Sequence, residues 1–445
     1  MISLLGVIVS RMKCVYDVFY KRRLLLQSIY RRCQYHDQYR HNHDGKTVAV
    51  AMSGGIDSAA VAVLLQQKGY KCVGIFMKNW DSSDEVGQEV CSISRDREDM
   101  RQVCKRLNIP SLEVDFIKEY WNQVFIPFIE SYKTGIETPN PDVACNRHVK
   151  FNCFVKYCRD TLHIDTIATG HYARLESNSK ETILLKTAKD KTKDQSYFLC
   201  RTPGLNLHNV MFPLGEYNKK DVYNLMSEKL YGLNVLTKRE SMGVCFIGKR
   251  DFPTFLSNYI NLTPGRFIDI DTGRILGYHR GKETYTIGQG ARLGGRKDKY
   301  FVVKKTKSTN DIFVAIGQDH PALFSDSLIV DGKTMSWISG SLPDPINSLL
   351  SEAYLAKQNG NMLPTESSYD CSFKIRHGQE MSSCKIRVSL KKNADVNTCS
   401  TTMDYSIIVL FDIPQRAINP GQVIAFYDND DNDGYICLGG GIISN

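Results

Sequence analysis

The sequence contains no C-x-x-C pair, although 14 of its 445 residues are cysteines. The closest two, Cys153 and Cys158, have four residues between them. Zinc ribbons and ferredoxin-like clusters need closer spacing, so the pattern argues against both kinds of site. The cysteines are also too sparse and irregular for a disulfide scaffold, which favours a reducing compartment. Any cysteine chemistry therefore joins positions that are distant in the sequence.

Long hydrophobic runs are also missing. No apolar stretch approaches the ~20 residues that span a bilayer, so no membrane partner is expected. The 57 Lys and Arg exceed the 48 Asp and Glu by nine, and this mild excess favours a polyanionic partner without requiring one. Single cores stop growing near ~250–300 residues, so a chain of this length is expected to form two or three domains.

The first 45 residues form a basic extension. They carry eight Lys or Arg against three acids, interleaved with Leu, Ile, Val, Phe and Tyr. The apolar stretch Ile2–Val9 precedes the charge, which is the reverse of a secretory signal. This composition favours a mitochondrial transit peptide, and hence the mitochondrial matrix; a basic arm that helps to hold RNA is the alternative. Folded structure is expected to start near Lys46.

A glycine turn follows the first apolar run. Thr47–Met52 predicts a buried strand, Ser53–Ser58 reads S-G-G-I-D-S, and Ala59–Lys68 predicts a helix. Adjacent glycines, serine hydroxyls and a helix N-terminus together form an anion cradle. The G-K-[ST] ending of a Walker A loop is absent, and Asp57 stands in place of its lysine, so pyrophosphate with magnesium fits better. A turn that only reverses the chain is the alternative.

The next segments alternate between strand and helix. The predicted strands are Cys72–Met77, Leu112–Asp115 and Thr166–Thr169, and the predicted helices lie near Arg95–Leu107 and Glu119–Tyr132. Such alternation indicates a parallel sheet with flanking helices. Ligands of these sheets bind beyond the carboxyl ends of the strands. Met77, Gly170 and His171 follow strand ends and are therefore expected to line a nucleotide pocket, although core packing is the simpler interpretation of Met77 alone.

Two cysteines lie in segments suited to chemistry. Cys145 ends the run N-P-D-V-A-C, which we interpret as a loop stiffened by Pro139 and Pro141. Asp142 lies three residues before the thiol, where a carboxylate can move a proton. Cys245 lies in a second, glycine-bracketed loop, G-V-C-F-I-G. A loop cysteine is more often inert than catalytic, so the two motifs on their own leave an inert role open.

Taken together, S-G-G-x-D-S, N-P-D-x-x-C-N and G-x-C-F-I-G resemble the bacterial and mitochondrial tRNA 2-thiouridylases of the PP-loop ATP pyrophosphatase superfamily. The resemblance runs from about Lys46 to the C-terminus. Further matching motifs are F-M-K-N-W at 76–80, G-H-Y-A-R at 170–174, K-D-Q-S-Y-F-L at 193–199, P-G-Q at 420–422 and C-L-G-G-G at 437–441.

The resemblance implies ATP-dependent 2-thiolation of the wobble uridine of tRNA. ATP with Mg²⁺ would adenylate uridine O2 and release pyrophosphate, and sulfur would then displace AMP. Cys245 matches the persulfide carrier, Cys145 the second nucleophile that leaves a transient Cys145–Cys245 disulfide, and Asp142 the general acid/base. An order in which released hydrosulfide attacks stays open. The persulfide sulfur would come from a donor protein, such as a cysteine desulfurase or a relay protein.

The same position-by-position match assigns binding residues. Those implied to contact ATP are Ala51, Met52, Ser53, Gly54, Gly55, Ile56, Asp57, Ser58, Met77 and Gly170. Those implied to contact tRNA are Asn140, Pro141 and Asp142 at the pocket for the flipped base, with His171, Lys193, Asp194, Gln195, Arg376, His377 and Gln422. The family has Arg-Tyr where this chain has Arg376-His377; the charge is kept, and a histidine can also stack on a base.

Four parts are predicted along the chain. They are the extension 1–45, an α/β parallel-sheet PP-loop (adenine nucleotide α-hydrolase-like) domain 46–250, a β-rich connector 251–319, and a C-terminal tRNA-binding β-barrel 320–445. The polar stretch 341–369 is longer than the usual loop of the family. Two other functions stay open. Another adenylating enzyme, such as a lysidine synthetase, would not need the two cysteines, and a non-catalytic RNA-binding protein would not need Asp57 and Asp142.

Overall fold

The computed structural model describes residues 47–81, 92–177, 182–238, 246–248, 250–359, 367–390, 405–430 and 434–444. The extension 1–45 and Cys245 lie outside these ranges. None of the helices within them is long and apolar enough to span a bilayer.

The N-terminal part is built on a five-stranded parallel sheet, which confirms the predicted architecture. Its strands are β1 (Thr47–Ala51), β2 (Lys71–Lys78), β3 (Ser111–Asp115), β4 (Thr166–Ala168) and β7 (Val210–Met211), in the order β3-β2-β1-β4-β7. On the central strand, Val48 and Val50 belong to one apolar cluster and Ala49 to another. Both faces of β1 are therefore covered, as in α/β sheets generally.

Helices supply the two covering layers. They are α1 (Ile56–Gln67), α2 (Ser92–Leu107), α3 (Ile117–Tyr120), α4 (Ile126–Lys133), α5 (Pro141–Cys145), α6 (Val155–Leu162), α7 (Ser196–Leu199) and α8 (Lys219–Lys229). The π-helical segments Trp121–Phe125 and Asn146–Phe154 join α3 to α4 and α5 to α6. Short 3₁₀ turns lie at Gly204–Leu207, Pro213–Glu216 and Asn234–Leu236.

A hairpin from this half of the chain belongs to the C-terminal sheet. It consists of β5 (Ala173–Ser177) and β6 (Ile183–Thr187), and β6 pairs antiparallel with the last strand, β18 (Gly434–Ile442). Leu185 of β6 is fully buried in a cluster that includes Tyr427. The hairpin lies within the range predicted as the PP-loop domain, so the two halves of the chain share a sheet.

The connector carries a small four-stranded sheet in the order β10-β11-β8-β9. Its strands are β8 (Gly265–Asp269), β9 (Ile275–His279), β10 (Tyr300–Lys305) and β11 (Ile312–Ile316), accompanied by α9 (Phe252–Ser257) and a 3₁₀ turn at Lys282–Thr284. Phe267, Val302 and Val314 are among its buried core residues. The β-rich character predicted for this region is confirmed.

The C-terminal part is an antiparallel barrel. Its strands are β12 (Phe324–Asp331), β14 (Tyr369–Lys374), β15 (Ser382–Leu390), β16 (Tyr405–Arg416), β17 (Val423–Asp430) and β18, in the order β12-β16-β15-β14-β17-β18. A bridge between Val330 and Ile443 returns to β12 and closes the barrel. The short strand β13 (Ser336–Trp337) also pairs with β18, and 3₁₀ turns lie at Pro321–Leu323 and Gly332–Thr334.

The polar stretch 341–369 contains a helix that the sequence analysis did not predict. This helix, α10 (Asp344–Gln358), packs on β14 and β15. Its buried side chains are Ile346, Leu349, Leu350 and Ala353. Ile346, Leu349 and Leu350 belong to the same apolar cluster as Phe373 of β14 and Ile386 of β15, so the helix adds apolar contacts to the core of the barrel.

Candidate functional site

The glycine turn lies between β1 and α1, at the carboxyl end of the central strand. Gly54 has φ +74°, and a Cβ there would lie 2.1 Å from the carbonyl oxygen of Asp96, so the position requires glycine. Helix α1 begins at Ile56, and no side chain among the described residues caps it. Its first N–H groups lack intrahelical acceptors and carry the positive end of the helix dipole. The turn therefore suits an anion.

Two further contacts fix the shape of this turn. The Ser58 hydroxyl donates to the Gly55 carbonyl at 2.9 Å and accepts from the Ser53 N–H at 3.2 Å. Gly170 lies against the turn from β4, because a Cβ on it would be 3.1 Å from the Ser58 nitrogen. The structure thus brings Gly170 to the phosphate loop, whereas Met77 packs against an apolar cluster on one face of the sheet.

Two residues bind the Asp57 carboxylate. The sequence analysis did not identify Lys219, and it gave Tyr172 no role. The Lys219 ammonium lies 2.7 and 2.8 Å from its two carboxylate oxygens, and the Tyr172 hydroxyl donates to it at 2.9 Å. Lys219 is the first residue of α8. It places a positive charge beside the phosphate loop, and no local sequence pattern marks it, because 162 residues separate it from Asp57.

Lys238 ties the loop to α2. Its ammonium donates to the Gly54 carbonyl and to the Asp99 carboxylate, both at 3.0 Å, and it also pairs with Asp96. Burial opposes the charged form, but the bonds from the two carboxylates raise the pKa of Lys238 above its usual range. The lysine therefore stays charged and fixes the backbone of the turn.

Cys145 lies in a helix, which corrects the expectation of a loop. It ends α5, where Asn140 is the N-cap and accepts from the Val143 N–H at 3.2 Å, and Pro141 is the first helical residue. Asparagine at the N-cap and proline at the next position both favour a helix start. The run N-P-D is therefore a helix-start signal. The Cys145 side chain is 6% exposed.

Cys145 shares an apolar cluster with Phe246. The Phe246 ring lies 5.1 Å from Phe128 and 5.5 Å from Trp80, measured between centroids. In the sequence Cys245 directly precedes Phe246, and Cys245 itself lies outside the described residues. The cluster thus packs Phe246, the residue after Cys245, in the same apolar core as Cys145 at the end of α5.

Asp142 projects from the same helix toward the barrel. It is solvent-exposed, yet the surrounding protein desolvates its carboxyl and raises its pKa, an effect that the nearby charges of Lys150 and His377 oppose. The His377 ring contacts the Phe198 ring, with 4.6 Å between centroids and an angle of 34° between the ring planes. Desolvation lowers the pKa of His377, while Asp194 and Asp142 act in the opposite sense. Asp142, from the predicted base pocket, and His377, from the predicted Arg376-His377 pair, are therefore close enough for their charges to interact.

Gln422 attaches the start of α5 to the barrel. Its side-chain amide donates to the Thr138 carbonyl at 2.7 Å, and its carbonyl accepts from the Asn140 amide at 3.5 Å. The Thr138 N–H donates to the Pro420 carbonyl at 2.8 Å. Asn140 and Gln422, both assigned to tRNA contact, are thus neighbours that connect the two domains.

Asp194 and Gln195 make contacts within the protein. The Asp194 carboxylate, 4% exposed, accepts from the Ala188 and Ser196 N–H groups and from the Ser196 hydroxyl, and it pairs with Lys374 at 3.3 Å. The Gln195 side-chain carbonyl accepts from the Tyr172 N–H at 3.0 Å. These bonds fix the segment in which Lys193 is half-buried.

His171 is neutral in this arrangement. Its Nδ1 lies 2.7 Å from the Thr169 hydroxyl. Burial lowers its pKa well below the usual value, and the charge of Lys150 adds to the effect. Lys150 therefore acts on both His171 and Asp142. The sequence analysis did not select it, because an isolated lysine in a helix carries no local signal of function.

Three family models match successive parts of the chain. The "tRNA methyl transferase HUP domain" covers residues 46–249, the "tRNA methyl transferase PRC-barrel domain" covers 253–316, and the "Aminomethyltransferase beta-barrel domain" covers 354–443. Together with the phosphate loop and the parallel sheet, they define a HUP-domain protein in which the nucleotide-binding domain is followed by two β-barrel domains.

Relatives of known name specify the family further. The Mitochondrial tRNA-specific 2-thiouridylase 1 of Gallus gallus is 39% identical over 90% of this chain and 92% of its own length, and that of Homo sapiens is 38% identical over 89% and 90%. The tRNA-specific 2-thiouridylase MnmA of Alkaliphilus oremlandii is 40% identical over 89% and 96%. This chain therefore belongs to the tRNA-specific 2-thiouridylase family, which confirms the resemblance stated above.

Proposed function

We propose that the protein is an ATP-dependent enzyme that replaces O2 of the wobble uridine of tRNA by sulfur. The observation that carries the proposal is the placement of α5. This short helix places Asp142 near His377 of the barrel, and it ends at Cys145, in the cluster that holds Phe246. A carboxyl group and a thiol thus lie on one helix, within the same domain as the phosphate loop.

The phosphate loop would hold ATP. The N–H groups of Gly54 and Gly55 and the exposed Ser53 hydroxyl would bind phosphate oxygens at the uncapped start of α1. Asp57, the carboxylate of the loop, would hold magnesium, which neutralises the pyrophosphate leaving group. Lys219 lies next to that carboxylate and would balance charge on the phosphates. Uridine O2 would attack the α-phosphorus, and Asp142 would accept the N3 proton.

Sulfur transfer would then use the two cysteines. The terminal sulfur of a Cys245 persulfide attacks the activated C2, and AMP leaves with the electron pair of the broken C2–O bond. The Cys145 thiolate next attacks Sγ of Cys245 and cleaves the S–S bond, which leaves sulfur on C2 and a Cys145–Cys245 disulfide. A two-electron thiol reductant restores both thiols. In the alternative order, Cys145 first frees hydrosulfide, which then attacks C2.

The direct test uses the full chain with unmodified tRNA transcript, ATP and Mg²⁺, and a cysteine desulfurase with cysteine as sulfur source. One pyrophosphate and one AMP should be formed for each 2-thiouridine detected by mass spectrometry of digested tRNA. A transcript with cytidine at the wobble position is the control and should stay unmodified. Tight tRNA binding without any thionucleoside would contradict the proposal and favour a non-catalytic RNA-binding protein.

The raised pKa of Asp142 predicts a pH dependence. If Asp142 accepts the N3 proton, the rate should rise with pH through the pKa of this carboxyl, which lies above its usual value. Lys150→Met removes a charge that favours the carboxylate, so the pKa should increase further and the acid limb should move to higher pH. Single-turnover thiolation between pH 5 and 8 measures the shift. Lys156→Met, an exposed lysine on α6, is the control; equal profiles would contradict this role of Asp142.

We also propose that the protein works in the mitochondrial matrix and receives sulfur from a donor protein. The basic composition of residues 1–45 and the mitochondrial relatives support the location, while bacterial relatives match equally well. A reporter fused to residues 1–45 should enter mitochondria; a cytosolic signal would contradict the location.

A further inference from the structure

Two arginines and a histidine form a cluster that contains none of the assigned binding residues, and the two arginines supply its positive charge. Arg147 lies near the start of the π-helical segment Asn146–Phe154 and donates from Nη1 to the Arg201 carbonyl at 2.7 Å. Arg201, just after α7, donates from Nη2 to the Thr334 carbonyl at 2.8 Å. His148 follows Arg147, and all three side chains are half-buried. We call Arg147, His148 and Arg201 the arginine cluster.

No acid among the described residues neutralises the arginine cluster. Within the described ranges, no ion pair includes any of its members, the two guanidinium groups donate only to backbone carbonyls, and the Arg201 Nε has no hydrogen-bond partner. Burial lowers the pKa of all three groups, and that of Arg201 falls to about 10. Arg147 contributes to the shift of Arg201, and both arginines to that of His148. Partly buried charge of one sign is costly unless an anion compensates it.

The cluster is linked through Asn146 and Phe198 to His377 of the barrel. Asn146, next to Arg147, donates from its side-chain amide to the Phe198 carbonyl at 3.1 Å. The Phe198 ring in turn contacts His377, which lies near Asp142. The arginines therefore lie on the two chain segments that the Asn146–Phe198 hydrogen bond joins. The Arg201 bond to Thr334 extends this link to the barrel.

We propose that Arg147 and Arg201 bind a backbone phosphate of the RNA substrate beside the nucleotide that reacts. This inference rests on the proposed function, because it takes tRNA as the ligand. Guanidinium groups suit phosphate, since their planar donors form paired, charge-assisted hydrogen bonds. A phosphodiester would supply negative charge to the two half-buried guanidinium groups. Extrusion of a base bends the backbone, so a phosphate fixed at this point would position the base over Asp142.

The test measures binding of unmodified tRNA transcript by the full chain across a range of KCl concentrations. Arg147→Gln and Arg201→Gln keep an amide that can donate to the same carbonyls but remove the charge. Each should raise Kd about tenfold. The double variant should lower the slope of log K against log salt by about 0.7 to 0.9, the loss of one phosphate contact. Arg159→Gln, on the exposed side of α6, is the matched control and should change neither quantity.

The outcomes separate this inference from the proposed function. If the wild type neither binds nor thiolates tRNA, the function itself fails. If the wild type thiolates tRNA and the double variant keeps its Kd and salt slope, only the phosphate site is wrong. The Arg147→Lys and Arg201→Lys pair retains charge and should recover most of the slope. If the Lys pair behaves like the Gln pair, the arginines only support the fold, and the inference is overturned.

Discussion

The Cys145→Ser variant should bind ATP and tRNA and release pyrophosphate normally, yet form 2-thiouridine at least about 10³-fold more slowly than the wild type. A hydroxyl at this position cannot attack the Cys245 sulfur, and loss of a nucleophile commonly costs this much or more. Adenylation uses the phosphate loop and uridine O2, so it should continue. Measuring radiolabelled pyrophosphate and 2-thiouridine in the same single-turnover reaction shows whether adenylation continues while sulfur transfer is lost.

A matched control is available in the same apolar cluster. Cys158 is fully buried there, and burial raises the pKa of its thiol. Cys158→Ser places the same hydroxyl in the same surroundings, so it should lower the melting temperature without stopping sulfur transfer. If Cys145→Ser retained thiolation, or if Cys158→Ser abolished it in folded protein, Cys145 would not be the second nucleophile.

The second large effect is expected at Gly54. In Gly54→Ala the new Cβ would lie 2.1 Å from the Asp96 carbonyl oxygen, at a backbone φ of +74°. The turn must move to relieve this overlap, and displacements near 1 Å at a reacting group cost about 10²-fold in rate. ATP-dependent pyrophosphate release with tRNA should fall by at least about that factor, and it is followed by a coupled phosphate assay.

Gly69 provides the control for backbone strain. It has φ +84°, and a Cβ there would have no atom within 4 Å. Gly69→Ala therefore carries the left-handed backbone cost of about 1–2 kcal/mol without the collision. It should lower the free energy of unfolding and leave pyrophosphate release unchanged. Equal losses of activity in the two variants would mean that strain, and not the shape of the phosphate loop, limits the reaction.

Features that one continuous stretch of residues determines could be predicted from the sequence. The phosphate loop and four of the five parallel strands follow from apolar periodicity and glycine position, whereas the two-residue strand β7 was not predicted. Two misses had a visible signal. In α10 the buried residues Ile346, Leu349, Leu350 and Ala353 have helical spacing, and Asn140-Pro141 marks a helix start before Cys145.

Other parts of the site could not be found this way. Lys219 and Lys238 reach the loop from sequence separations of 162 and 184 residues. Lys150 acts through its charge on Asp142 and His171, and not through a motif. These lysines reach the site only through the tertiary fold. A single sequence does not show which lysine will lie beside which carboxylate.

The hairpin of β5 and β6 has a consequence for biosynthesis. Thr187 accepts a hydrogen bond from Tyr435, and 248 residues separate the two positions. During translation the nucleotide domain therefore emerges with the edge of β6 unpaired until the last strand, β18, has left the ribosome. Unpaired edges promote aggregation, and contacts of long sequence separation form slowly. A nascent chain of this protein thus completes its first domain only after its last strand is made, which ties early folding to full-length synthesis.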